Sequence, residues 1–187
     1  MSSALTDLFP YPIVQAPMAG GATTVELVAE ASKAGALGSL GAAYMTPEQI
    51  DAAAAAIRAN RSSWPPEAAA AIRARTDRPF AINLFASVPQ QPMTGNAEAM
   101  LALMARYHEQ LGLPAPEAPG PQTDPLAGQL EAILRIRPAV LSFTFGRLPA
   151  EAVARCRELG ILTVGTATTV REAQTLEQDG VAAIVAQ

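Results

Sequence analysis

Two neutral amides, Asn83 and Gln187, stand at the ends of short apolar runs, FAINLF (80–85) and AAIVAQ (182–187). A third run, PIVQAPM (12–18), ends in the small-residue turn Ala16-Pro17-Met18-Ala19-Gly20-Gly21. The remaining run ends are Gly41-Ala42, 142–146 (SFTFG) and Gly165-Thr166, so almost nothing ionisable stands where the apolar character gives out. Amides offer donors and acceptors without charge, and glycines let a flat ligand approach the backbone. Such a set suits holding the polar edge of a cofactor better than acid-base work by side chains.

The more reactive residue types lie elsewhere. His108, the sole histidine, falls in a helical stretch between Tyr107 and Glu109, and is read as a solvated or partly packed helix position. Cys156 is spaced with Val153 and Leu159 on one helical face, so inert packing is expected despite two nearby arginines. Met100, Leu101 and Met104 read as core. Thr144 could face a substrate, although a β-branched residue in a strand needs no function. No residue cluster suggests a metal site.

Short apolar runs at 12–18, 37–41, 80–85, 139–145, 161–166 and 182–187 alternate with longer Ala-rich stretches of helical spacing, the βαβα rhythm of a parallel sheet. None alternates cleanly with polar residues, as expected when helices cover one side and a barrel interior the other. The helices are punctuated. TTVELVAEASKAG starts on Thr23 or Thr24 and stops at Gly35; MTPEQIDAAAAAIRAN has Thr46 as N-cap and Pro47 at the first helical position. LPAEAVARCRELG and TTVREAQTLEQDG follow the same grammar, with Gly160 and Gly180 as stops. WPPEAAAAIRART reads as an extra helix before the third strand.

One domain spanning 1–187 is expected, with a helical and proline-rich insertion over 87–137 after the third strand: a helix in GNAEAMLALMARYHEQLG, a loop in PAPEAPGPQTDP and a second helix in LAGQLEAILRIR. Lying after a strand's carboxyl end, it is either a lid over the functional face or a surface bracket. The fold class is α/β, an incomplete (β/α)8 TIM barrel with about six of eight parallel strands present, or three-quarters of such a barrel. The alternative is a six-stranded doubly wound sheet, whose first turn would carry GxGxxG; QAPMAGGATT does not.

A net charge of -4 and scattered Lys/Arg argue against nucleic acid. No apolar run approaches the roughly 18 residues of a membrane span. One cysteine excludes an internal disulfide, and without an export signal a reducing cytoplasm is the expected location.

The runs PIVQAPMAGGATTVELVAEASKAGALGSLGAAYMTPEQI, FAINLF, LSFTFG and ILTVGTATTVREAQTLEQDGVAAIVAQ, in that order, resemble the nitronate monooxygenase family, formerly called 2-nitropropane dioxygenase. The resemblance covers nearly the whole chain. It implies a flavoprotein oxidoreductase that uses FMN and dioxygen to convert alkyl nitronates to a carbonyl compound and nitrite. It sets Pro17, Met18 and Ala19 against the flavin ring, with Asn83 and Gln187 as hydrogen-bonding partners of FMN, one wall of an isoalloxazine slot. The family's catalytic histidine, in a GxEAGGHRG segment, is expected beyond Gln187, as is the phosphate cradle, so no catalytic residue is assigned within 1–187 and isolated activity is expected to be impaired. Two other readings stand beside it: an NAD(P)H-dependent quinone or enoyl-thioester reductase on the same barrel, and a non-catalytic split chain. The last would self-associate or pair with a complementary C-terminal segment along the sixth strand's edge.

Overall fold

The apolar runs pair side by side in chain order, as expected of strands joined by helical crossovers. The computed structural model describes residues 5, 7–59, 78–86, 97–118 and 124–187. Their elements are α1 (Val25–Lys33), β1 (Gly38–Gly41), α2 (Pro47–Ala59), β2 (Phe80–Phe85), α3 (Ala97–Gln110), α4 (Leu126–Ile136), β3 (Val140–Thr144), α5 (Ala150–Glu158), β4 (Leu162–Ala167), α6 (Val170–Gln178) and β5 (Ala183–Ala186). The five strands form one parallel sheet in the order β1-β2-β3-β4-β5. A doubly wound sheet reverses its strand order at a switch point. This sheet never does, which disposes of the doubly wound alternative and leaves the incomplete barrel.

The expected first strand is reduced to one parallel bridge, Val14 to Leu37. Its two hydrogen bonds run from Leu37 N–H to the Ile13 carbonyl and from Gln15 N–H to the Leu37 carbonyl, both 2.9 Å. The next donor in that ladder would be the N–H of residue 17, and Pro17 has none. The Gln15 side chain takes over instead, its Oε1 accepting from Ser39 N–H at 3.0 Å. Proline thus frees the chain to turn away just where the small-residue segment begins.

Side chains alternate between two faces. Leu40, Ile82, Leu84, Leu141 and Phe143 join Val28, Ile50, Ile133 and Val153 of the helices in the larger core. On the opposite face Leu37, Ala81, Val140 and Val164 pack against Phe9 of the N-terminal segment. Phe9 therefore closes the amino end of the inner face with hydrocarbon, while the carboxyl end carries Asn83, Ser142 and Thr144.

The helix starts are chemically explicit. Of the two candidate threonines, Thr24 caps α1, its hydroxyl accepting from Leu27 N–H at 3.2 Å. Thr23 is spent on Met18 N–H at 2.7 Å. Thr46 and Gln49 exchange reciprocal bonds at α2, as Thr169 and Glu172 do at α6. The grammar fails at α5, where Pro149 occupies the cap without a side-chain bond, as Pro125 does at α4. Gly160 and Gly180 take φ of 73° and 77° beyond α5 and α6, the left-handed stop that glycine adopts at little cost.

Residues 1–88 with 125–187 form one compact unit and 89–124 another. The helix expected in LAGQLEAILRIR is α4, which packs on α2 and β2 within the first unit. The second unit contains α3, and here an expectation is overturned: Met100 and Met104 are exposed, Leu101 is half-buried, and α3 buries no residue. Its apolar stripe is not core within that unit. The helix expected at WPPEAAAAIRART lies outside the described residues.

Cys156 is fully buried, and burial pushes its thiol up to about 11. Alkylation by iodoacetamide at pH 8 is expected to run about 100-fold slower than for a free thiol and to recover in denaturant. Rapid labelling of the native protein would refute the inert assignment.

Candidate functional site

Register determines which residues share a level on the inner face. Asn83 pairs with Gly41 on one side and Ser142 on the other, and Phe85 pairs with Thr144 one step nearer the carboxyl end. Asn83 is 6 % exposed, and its Nδ2 donates to Ser142 Oγ at 3.0 Å. The amide keeps a second N–H and its Oδ1 available.

Gly41 brings the N-terminal turn to that level. A Cβ on it would stand 2.5 Å from the Met18 carbonyl carbon and 2.7 Å from Ala19 N. Only glycine lets the Met18–Ala19 peptide lie on the end of β1, so Pro17, Met18 and Ala19 sit beside the strand position next to Asn83. Gly20 and Gly21, with φ of 84° and 97°, let the chain turn back into α1.

Gln187 continues β5, its N–H donating to the Ala167 carbonyl at 3.0 Å. Alternation from Ala183 and Val185 puts it on the same face as Asn83. Three strand spacings separate β5 from β2, roughly 14 Å across the sheet. The structure therefore gathers the turn and Asn83 at one place, with Gln187 on the same face but not in their immediate neighbourhood. Among the described residues from Ser39 to Gln187, no inward-facing strand residue is ionisable.

One structural residue escaped the sequence reading. Gln129 of α4 is 1 % exposed, and its Nε2 reaches the carbonyls of Ala42, Ala43 and Met45 at 3.3, 3.2 and 2.9 Å. It gathers the β1–α2 loop over the carboxyl end of the sheet. The available signal was its spacing: Leu126, Gln129, Leu130 and Ile133 share one helical face, so an amide there had to find partners inside.

That loop carries Tyr44, the outermost of three aromatic rings. Tyr44 meets Phe85 edge-on at 5.5 Å between centroids, and Phe85 meets Phe145 at 4.8 Å. Phe145 has φ of 67°, a conformation costly for a bulky residue, and is 64 % exposed. Beneath it the Thr144 hydroxyl oxygen is buried without a hydrogen-bond partner.

A cavity of about 490 Å³ opens between the loop after β3 and the first half of α6, lined by Phe145, Gly146, Arg147, Thr166, Arg171 and Glu172 among others. Two of its charged side chains, Arg147 and Glu172, are internally committed. Arg147 forks onto Asp179, with Nε to Oδ2 at 2.6 Å, which holds the aspartate below its ordinary range and the guanidinium above. Glu172 accepts from Thr168 N–H and hydroxyl, bonds that keep its carboxyl below the usual value. Neither Asn83 nor the Met18 turn lines this cavity.

His108 lies in the second unit, its Nδ1 2.6 Å from the Pro114 carbonyl, a local tie at the end of α3. Among the described residues no group of His, Cys, Asp and Glu could hold a metal ion.

The nitronate monooxygenase family model matches residues 2–187. The chain is 37 % identical over 179 residues to a nitronate monooxygenase of Paraburkholderia phytofirmans, covering 94 % of this chain and 44 % of that protein. The solved nitroalkane oxidase of Streptomyces ansochromogenes superposes with a TM-score of 0.77 at 36 % identity, over 99 % of this chain and 48 % of that one. FabK from Thermotoga maritima, as the M276A mutant, matches with a TM-score of 0.65 at 20 % identity over 100 % of this chain and 46 % of its own, a likeness of fold alone. This chain spans about half the length of these relatives, not the three-quarters that strand counting suggests, because strand number is blind to the length of other segments. With the family's motifs at the strand ends and the family model matched along nearly its whole length, the chain belongs to the nitronate monooxygenase family.

Proposed function

We propose that the carboxyl end of this sheet is the flavin-binding wall of an FMN-dependent nitronate monooxygenase. The observation that carries the reading is the Met18–Ala19 peptide seated on Gly41, level with a buried Asn83 whose amide retains a donor and an acceptor. A flat, uncharged, hydrogen-bonding edge fits beside that peptide and amide. FMN, when bound, supplies the redox chemistry by which a nitronate and dioxygen give a carbonyl compound and nitrite.

The chain's own residues bind and orient. Pro17, Met18 and Ala19 offer backbone and a thioether to one side of the ring. Asn83, anchored through Ser142, addresses the ring's heteroatoms, and Gln187, three strands away, reaches another part of the same ligand. None of these groups titrates near neutrality, so they fix geometry and local polarity without changing charge with pH. Proton handling falls to a group outside these strands, in keeping with the histidine that the family resemblance sets beyond Gln187. The small-molecule substrate and the cytoplasmic setting belong to the same proposal. Among the described residues no helix is long and apolar enough to cross a membrane.

The test uses the protein loaded with FMN. Its flavin absorbance should bleach when a nitronate is added anaerobically, and Asn83→Leu should weaken FMN binding about tenfold, the loss of a buried hydrogen bond. NAD(P)H consumption without any response to nitronate would overturn the proposal in favour of a reductase.

A further inference from the structure

Tyr44, Phe85 and Phe145 stand at the carboxyl ends of β1, β2 and β3, joined edge to face. Phe85 occupies the inner-face position two residues beyond Asn83 on the same strand, so the rings begin where the amide level ends. An aromatic cluster of this kind would ordinarily be covered, yet Tyr44 is 72 % exposed and Phe145 64 %. Backbone geometry keeps it so. The left-handed φ of Phe145 turns the chain out of β3 at a position where glycine would be relaxed, and Gln129 ties the Tyr44 loop from below.

The electrostatics around the rings are equally selective. The nearest chain charge in sequence, Arg147, is bound to Asp179, and the inner-face neighbours are Ser142, Thr144 and Thr166. Arg171 lines the cavity that Phe145 borders, but Tyr44 and Phe85 do not line it. What such a surface removes from water with profit is hydrocarbon.

We propose that Tyr44, Phe85 and Phe145 form an aromatic wall that receives the hydrocarbon portion of the substrate and sets its chain-length preference. This rests on the nitronate reading for the substrate's polar end. The wall itself depends only on apolar contact, which makes it separately testable. Each methylene laid against the rings should tighten binding by up to about fourfold.

The experiment compares the nitronates of nitroethane, 1-nitropropane, 1-nitrobutane and 1-nitrohexane on the flavin-loaded protein, with equilibrium dialysis of the parent nitroalkanes as a readout independent of turnover. KM and the dialysis affinity should both improve along the series while kcat changes little. Phe145→Gly, which relaxes the backbone and so preserves folding, should flatten the series, as should Phe85→Ala. Turnover with a flat KM series, or a Phe145→Gly series as steep as the parent's, overturns the wall and leaves the nitronate reading intact. Chain-length-dependent dialysis without nitronate turnover upholds the wall and sinks the nitronate reading. Failure of every nitroalkane to bind overturns the wall.

Discussion

Gly38→Ala is expected to destabilise the protein by about 2–3 kcal/mol, the upper part of the usual range for overpacking. A Cβ at this position would lie 2.1 Å from the Val28 carbonyl oxygen and 2.7 Å from Ser32 Oγ. The first of these is helix backbone, which cannot swing aside as a side-chain tip can. Accommodation requires α1 to lift from β1, uncovering Val28 and Ala29 and stretching the bond from Gly38 N–H to Ser32 Oγ, now 3.2 Å. The measurement is a urea titration in which the midpoint falls while the slope is unchanged. Gly128→Ala is the matched control. Its Cβ would meet only the Pro47 Cγ at 3.1 Å, and alanine favours helix α4 by roughly 0.5–1 kcal/mol, so the two effects should nearly cancel. If both variants lose the same stability, the glycine contact between α1 and β1 is not what limits their approach.

Gln129→Leu should cost a comparable 2–3 kcal/mol, for a different reason. The substitution keeps the volume within the core but leaves the Ala42, Ala43 and Met45 carbonyls without the amide that now serves all three. Leaving a buried polar group unsatisfied costs about 1–3 kcal/mol, and because the Ala42 carbonyl still accepts from Met45 N–H at 2.9 Å, only the Ala43 and Met45 carbonyls lose the side-chain donor without that backbone substitute. The loss should be visible locally before it is visible globally. Amide exchange over residues 42–46 should rise, including Ala42 N–H, which donates to the Asn83 carbonyl at 2.9 Å. Because Tyr44 rides on the same loop, the chain-length preference predicted for the aromatic wall should weaken in this variant as well. Unchanged protection at 42–46 would show that α2 and the sheet hold the loop without Gln129.

Much of the fold was legible because its causes are local. Thr46 with Gln49, and Thr169 with Glu172, announce helix starts through bonds made within three residues. FAINLF became a strand with the expected bounds because both its faces are covered, so every position could be apolar. The run at 12–18 fared differently, since a proline at one ladder position removes a donor whose importance appears only once the partner strand is in place. The Met100 stripe misled for a related reason: helical periodicity reports which face is apolar and leaves open what covers it.

The amino-acid sequence by itself determined the alternation of strand and helix, the neutrality of the strand ends, and the identity of Asn83, Gln187 and the 17–19 turn as the groups to examine. Those features follow from residue type and short-range spacing, where a few bonds or one steric preference decides. Only tertiary structure decided that Gly41 seats the Met18 peptide, that Gln129 gathers a loop more than 80 residues away in sequence, and that Tyr44, Phe85 and Phe145 meet. Each depends on strand register and on contacts between distant segments, and a shift of one residue would send the side chain to the other face of the sheet.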